Sequence, residues 1–275
     1  MATPSTPAGR IILITGVSSG LGQAMAREAL GRGATVVGTV RQQTDLDDFE
    51  AVAPGRAIGR LLDMTDTAGI STLAGSIESD IGPLDVLINN AGYGLAGTIE
   101  EVSMDDLRQQ FEVGVFAPVA MIQAVLPAMR ARRYGHIINI ASMGAVVTFP
   151  TNGAYHGAKF ALLGIGDTLA KEVAPLGVKV TSVLPGLYNT DWAGRSRAQS
   201  DHIDDYRPLY ASPRPDMSGD PARLARVVLD LLDAAAPPTR LLVGASAVLR
   251  VREELTRQRA DIDRWEATSD TAGNG

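Results

Sequence analysis

Short apolar runs alternate with longer amphipathic stretches along most of the chain. The runs IILIT (11–15), ATVVGTV (34–40), AIGRLL (57–62), LDVLI (84–88), HIINIA (136–141), VKVTSVL (178–184) and RLLV (240–243) read as strands. Several are apolar at consecutive positions, as expected of parallel strands covered on both faces. Between them, helical patterning spans 21–32, 44–52, 66–80, 103–131, 153–174, 220–235 and 247–265. Repeated strand–helix alternation requires crossover connections. It predicts an α/β fold, a single-domain doubly wound parallel sheet of about seven strands with helices on both faces. The domain is expected over 10–265, with disordered tails at 1–9 and 266–275.

Two stretches break the rhythm. Residues 186–219 form a long, polar, proline-containing insertion after the sixth strand. Placed beyond a strand's carboxyl end, it is the candidate substrate loop or lid. The second is FEVGVFAP (111–118), where Gly114 and Pro118 stand one helical hydrogen bond apart inside a predicted helix. Pro118 has no N–H, so a regular helix leaves the Gly114 carbonyl without its partner, a place for an ordered water.

Composition narrows the function classes. With 275 residues, 45% of them hydrophobic, the chain is long enough for one substantial core. A net charge of −6 argues against a nucleic-acid partner. There is no cysteine, and the three histidines have no ligand spacing, so neither disulfides nor a metal site are expected. The first residues lack the blocks of a signal peptide. The uncharged run 113–129 is short for a membrane span and holds Gly114, Pro118, Gln123 and Pro127, so it is expected to be buried in protein. A cytoplasmic location without membrane attachment follows as the expectation.

Candidate chemistry clusters at the predicted strand ends. In ITGVSSGLGQAMA, Gly16, Gly20 and Gly22 permit a tight turn and close approach of backbone to a phosphate, ahead of a helix N-terminus. The second strand ends in Val40-Arg41, with no carboxylate to hold the ribose hydroxyls of NAD. A guanidinium there suits the 2′-phosphate of NADP. Tyr155 and Lys159, at i and i+4, share a helix face. An adjacent ammonium is expected to lower the tyrosine's pKa by roughly 1–3 units. Ser142, closing the fifth strand, faces the same crevice and can hydrogen-bond a substrate carbonyl.

The ordered set TGVSSGLG, NNAG (89–92), Ser142, Tyr155-x-x-x-Lys159 and Pro185-Gly186 resembles the short-chain dehydrogenase/reductase family over residues 9–245. The resemblance implies a Rossmann-like fold and hydride transfer between NADP(H) and a small-molecule carbonyl or secondary alcohol. Tyr155 is then the general acid or base, Lys159 binds the nicotinamide ribose and tunes it, and Ser142 positions the substrate oxygen. By the same resemblance, Thr15, Ser18, Ser19 and Leu21 lie in the phosphate turn. Asn90, Ala91 and Gly92 line the cofactor, Asp63 and Met64 meet the adenine, and Pro185, Gly186 and Thr190 flank the nicotinamide. His156 is given no catalytic part. A homodimer or homotetramer through the helices around 111–129 and 159–170 is implied as well. Trp192, Tyr188, Phe149, Tyr206 and Tyr210 are candidate pocket walls, and Arg195 and Arg197 candidate contacts for an acidic group.

One family residue is missing: an asparagine of the helix after NNAG is replaced by Gly114. Three readings stand open. The first is a redox enzyme with an altered proton relay, the second a lyase or epimerase on the same scaffold, and the third an NADP-binding protein with little turnover.

Overall fold

The structure, a computed structural model, describes residues 9–188, 203–211 and 219–271. Its seven strands pair in parallel: β1 (Ile11–Ile14), β2 (Thr35–Val40), β3 (Ala57–Leu61), β4 (Val86–Asn89), β5 (Gly135–Ile140), β6 (Val178–Pro185) and β7 (Arg240–Val243). Their order is β3-β2-β1-β4-β5-β6-β7. Winding reverses between β1 and β4, which pair through Ile12–Val86, Leu13–Leu87 and Ile14–Ile88. The connections leaving these two strands diverge, which opens a crevice at their carboxyl ends.

Consecutive apolar residues make both faces of the sheet sticky, and each face has its own helical cover. Ile12 and Ile14 pack with Met25 and Leu30 of α1 (Gly20–Gly31), Phe49 of α2 (Gln43–Val52), and Leu224 and Val228 of α8 (Pro221–Asp230). Leu13, Leu87 and Ile137 face the other way. They meet Ile70 and Leu73 of α3 (Thr67–Ser76), Met121 and Val125 of α5 (Ala117–Arg132), and Leu169 of α6 (Gly153–Val173).

The helix expected over 103–131 comes in three pieces. Between α4 (Met104–Phe111) and α5 lies a π-helical turn, Glu112–Phe116, in which the Ala117 N–H donates to the Glu112 carbonyl five residues back. Gly114 sits inside this turn, buried against Ala158 of α6, and Pro118 follows it in the first turn of α5. The two breakers therefore mark a change of helical register within what the sequence reads as one regular helix. By length and composition Met104–Arg132 could cross a membrane, but Met121, Ile122, Val125 and Met129 are buried in the core.

Two further expectations change. Helix α9 runs Ala245–Asp270, past the boundary at 265, with Arg257 bridging Glu254 and Asp261 at helical spacing along its exposed part. Tyr188, expected in the pocket wall, joins the core beside Leu224 and Val243.

His136, near the amino end of β5, shows how the sheet depends on pH. Its Nε2 lies 3.1 Å from Thr181 Oγ1, and that hydroxyl donates to the Pro238 carbonyl at 2.9 Å, so Nε2 carries the proton of a neutral ring. Burial, with Lys179 and Arg10 nearby, pushes the pKa down to about 3. The unfolded chain takes up this proton near pH 6.5 and the folded one does not. Stability is therefore expected to decline as pH falls below 6.5 toward 3. Urea titrations across that range check this, and His136→Gln should flatten the decline.

Candidate active site

The turn after β1 closes on β4 through a small set of bonds. Thr15 Oγ1 accepts from the N–H groups of Asn90 and Ala91, each at 2.9 Å. Asn90 Nδ2 donates to the carbonyls of Thr15 (2.9 Å) and Gly16 (3.0 Å). Gly16 takes φ +72° and Gly20 φ +59°, left-handed values that favour glycine. Gly22 presses so closely on the Gly16 carbonyl and Asn90 that a Cβ would collide with both. The first turn of α1 holds no acidic side chain and takes no side-chain hydrogen bond from its N-cap residue Ser19, which leaves its N–H groups available as an anion site. Ser18 is exposed at the mouth and Leu21 packs on the core behind it. A turn with left-handed Gly16 and Gly20, closed on a Gly22 that has no room for a Cβ, fits a dinucleotide pyrophosphate.

Beyond it, β2 and β3 end side by side. Arg41 is exposed and near enough to Asp63 to help hold that carboxyl below its usual range. The larger causes are the bonds Asp63 accepts from Thr65 N (2.9 Å) and Oγ1 (2.8 Å). Met64 turns inward, its sulfur 3.9 Å from Thr39 Oγ1, and that hydroxyl accepts from Gly16 N. Arg41, Asp63 and Met64 thus border the same crevice as the glycine turn. Pro185 ends β6 and Gly186 abuts Ser246 and Ala247 of α9. Thr190, Trp192, Arg195 and Arg197 lie outside the described residues.

On the other side of β4, the crevice brings Ser142, Tyr155 and Lys159 together. Ser142 caps a short turn, its Oγ accepting from Gly144 N at 3.0 Å, and is hydrogen-bonded to the Tyr155 hydroxyl. Lys159 is buried, and its Nζ donates to the Ile140 carbonyl at 2.8 Å, lies beside Gly92, and stands 5.8 Å from the centre of the Tyr155 ring. Burial pushes Lys159 down to about 8. Burial also pushes Tyr155 up to about 12, against the Ser142 bond, which favours the phenolate. The expected lowering by Lys159 is thus not found. The ammonium points to a strand carbonyl, and desolvation of the phenol dominates its shift. Tyr155 stays a phenol at neutral pH, a form that can donate a proton. His156 is buried and neutral: burial lowers its pKa, and its ring packs near Phe149 and Tyr155.

Sequence reasoning missed the acidic pair Glu100–Glu101. Glu101 accepts from Thr98 Oγ1 (2.7 Å), Thr98 N (3.1 Å), Ile203 N (2.8 Å) and, most closely, the Tyr210 hydroxyl. These bonds hold its carboxyl at about 2. Glu100 accepts from Tyr206 Oη at 2.7 Å. Together they pin residues 203–211, including α7 (Arg207–Tyr210), onto the loop after β4. A cavity of about 530 Å³ lies between, lined by Ile99, Phe149, Pro150, Tyr206 and Leu209. Thr151, also in its wall, is held at φ +65°, a strained value for a β-branched residue, with its carbonyl accepting from Gly97 N at 2.8 Å. No local pattern announces this network, because its partners are about 100 residues apart.

Fold and crevice together define a dinucleotide-dependent oxidoreductase. The chain belongs to the short chain dehydrogenase family, whose model matches residues 10–201, and it is an NAD(P)-dependent enzyme of that family. It is 34% identical over 247 residues to a 3-ketodihydrosphingosine reductase of Bacteroides thetaiotaomicron, covering 86% of this chain and 88% of that protein. Its fold matches a short-chain dehydrogenase from Streptomyces avermitilis with TM-score 0.90 and 36% identity, over 98% of this chain and 100% of the other. A short chain dehydrogenase from Burkholderia cenocepacia in complex with NADP matches with TM-score 0.76 and 26% identity, over 94% and 98% of the two chains.

The glycine cradle gives a direct test. Gly22→Ala is expected to cost about 1–3 kcal/mol by overpacking and to weaken NADPH binding at least tenfold, as followed by cofactor fluorescence. A chemical melt run in parallel separates the two effects.

Proposed function

We propose that the protein is an NADP(H)-dependent reductase of ketones or aldehydes carrying an apolar group. The observation that carries this reading is the Ser142–Tyr155 hydrogen bond, with Lys159 one helical turn further on, beside the glycine cradle. The surviving cluster favours redox chemistry over the lyase and binding-protein readings, since it holds an acid and a carbonyl-orienting hydroxyl on one crevice. Bound NADPH supplies the hydride. Ser142 orients the carbonyl oxygen and steadies the negative charge that develops on it. Tyr155, kept protonated by burial, gives that oxygen its proton. Lys159, charged below about pH 8, holds the cofactor ribose through its remaining N–H groups. The phosphate turn is Thr15, Gly16, Ser18, Ser19, Gly20, Leu21 and Gly22. Asn90, Ala91 and Gly92 line the ring side, Asp63 and Met64 the adenine side, and Pro185, Gly186 and Thr190 the nicotinamide side.

Arg41 supports the choice of NADP, because the end of β2 offers an exposed guanidinium and no carboxylate. The Burkholderia neighbour in complex with NADP points the same way. The apolar cavity beside Phe149 supports an apolar substituent on the substrate, and the Bacteroides relative, named for a keto compound, supports reduction. Gly114 leaves only backbone where the family places an amide. Its approach to Ala158, next to Lys159, suits a relay through main-chain groups. Exposed Phe116 and Phe160, on the helices around 111–129 and 159–170, support a homodimer or homotetramer.

NADPH consumption with a series of methyl ketones of increasing chain length tests the reading. Turnover should rise with chain length and fall by about 10³-fold or more in Tyr155→Phe. NADPH binding with no turnover on any carbonyl would overturn it. The alkaline limb of kcat/KM should lie near pH 8, where Lys159 loses its charge, whereas a limb near 12 would implicate Tyr155. Arg41→Ala should cut kcat/KM for NADPH by about 10–100-fold, the worth of a charge-assisted phosphate contact, and leave NADH nearly unchanged.

A further inference from the structure

Helix α9 leaves the domain with a seam still running along it that is apolar at every position but Gln258. Val248, Val251, Leu255, Gln258, Ile262 and Trp265 are spaced 3, 4, 3, 4 and 3 residues apart, the a/d pattern of a heptad seam. The seam begins inside the protein: Val251 is 4% exposed and packs with Met143 and Ala247. Further on it has no cover among the described residues, for Leu255 is 51%, Ile262 69% and Trp265 59% exposed. An isolated helix of about 12–15 residues is marginal in water, and large apolar side chains in register on its outer part call for a facing helix.

We propose that the outer half of α9 pairs with the same helix of a second copy of this chain. Three features select that occupant. The stripe is only as wide as an a/d seam, and a second α9 is a helix with matching spacing. The seam's edges are of opposite sign, with Arg252 and Arg259 at the e positions and Glu254 and Asp261 at the g positions. Two parallel copies therefore set Glu254 of one against Arg259 of the other, a contact added to the bonds Glu254 already accepts from Arg257 and Gln258, whereas Asp261 then meets Glu266, so the attraction is strongest in the first heptads. Finally, residues 250–270 carry five arginines against six carboxylates, unlike the Lys/Arg-rich polar face of a membrane-surface helix. Two heptads bury less than a standard interface of about 1,200–2,000 Å², so the pairing depends on concentration.

Because the chain has no cysteine, single cysteines give a clean readout. Ile262→Cys, on the seam, should cross-link with a short bismaleimide to a species of twice the mass, more so at higher protein concentration. Ala260→Cys, on the opposite face, should give little. Both sites are exposed, so folding is not at stake. In sedimentation velocity, Leu255→Glu with Ile262→Glu should shift the wild-type distribution toward the smaller species. The proposal is overturned if neither cysteine cross-links, if both do so equally, or if the glutamates leave the sedimentation profile unchanged. It is also overturned if, in a Trp192→Phe variant that leaves Trp265 as the one tryptophan, the fluorescence is shielded in a species that sediments as a single chain, which would mean that the chain covers its own helix.

Discussion

The bond from Lys159 to the Ile140 carbonyl joins the helix that carries Tyr155 and Lys159 to the strand that leads to Ser142. A buried ammonium is costly unless a partner meets it, and here the partner is the end of the sheet itself. The bond forms only because α6 lies close to its neighbours, and small residues make the contacts. Gly114 faces Ala158, Gly157 faces Phe111, and Gly166 lies over Ser182 and Asn139. The seat of α6 in turn places Tyr155 against Ser142. The same burial then gives the pair their opposite shifts, the lysine down and the tyrosine up.

The polar layer under α6 has a price in unmet hydrogen bonds. Asn89 and Asn139, at matching register on β4 and β5, share one bond of 3.0 Å, while Asn89 Oδ1, Asn139 Nδ2 and Ser182 Oγ find no partner among the described residues. All three side chains are buried, at depths where polar groups are usually satisfied by ordered water. The first asparagine of NNAG therefore works inside the sheet, while the following Asn90 ties the glycine turn of β1 to β4.

What was legible in the sequence were features written in neighbouring residues. The strands follow their apolar runs to within a residue or two, and the glycine turn, Ser142, Tyr155 and Lys159 fall where their motifs place them. Features that depend on depth or on distant partners were not legible. Spacing alone puts Lys159 beside Tyr155, but it does not show that both are desolvated or that the ammonium is taken by Ile140. Tyr188 looks like any aromatic near a loop, and only the pairing of the strand end turns it into the core. The Glu100–Glu101 clamp spans from the loop after β4 to residues 203–211, a link that no periodicity records. Gly114 and Pro118 announced a disturbance, but not that a π turn would absorb both.

A π turn places one residue more in a helix than the α period accommodates, so it acts as a phase shift. Each helical residue turns the chain by about 100°. Loss of a single residue within Glu112–Phe116 would let α4 and α5 fuse into one regular helix and swing α4 by that angle. Gln110, buried on α4, now accepts from Leu95 N at 3.0 Å and donates to the Tyr93 carbonyl at 3.3 Å. Rotated away, it would release the loop that leads to Glu100 and Glu101. The phase of one helix thus sets the posture of the wall across the cavity, and a change in chain length there would act on the pocket without touching any residue that lines it.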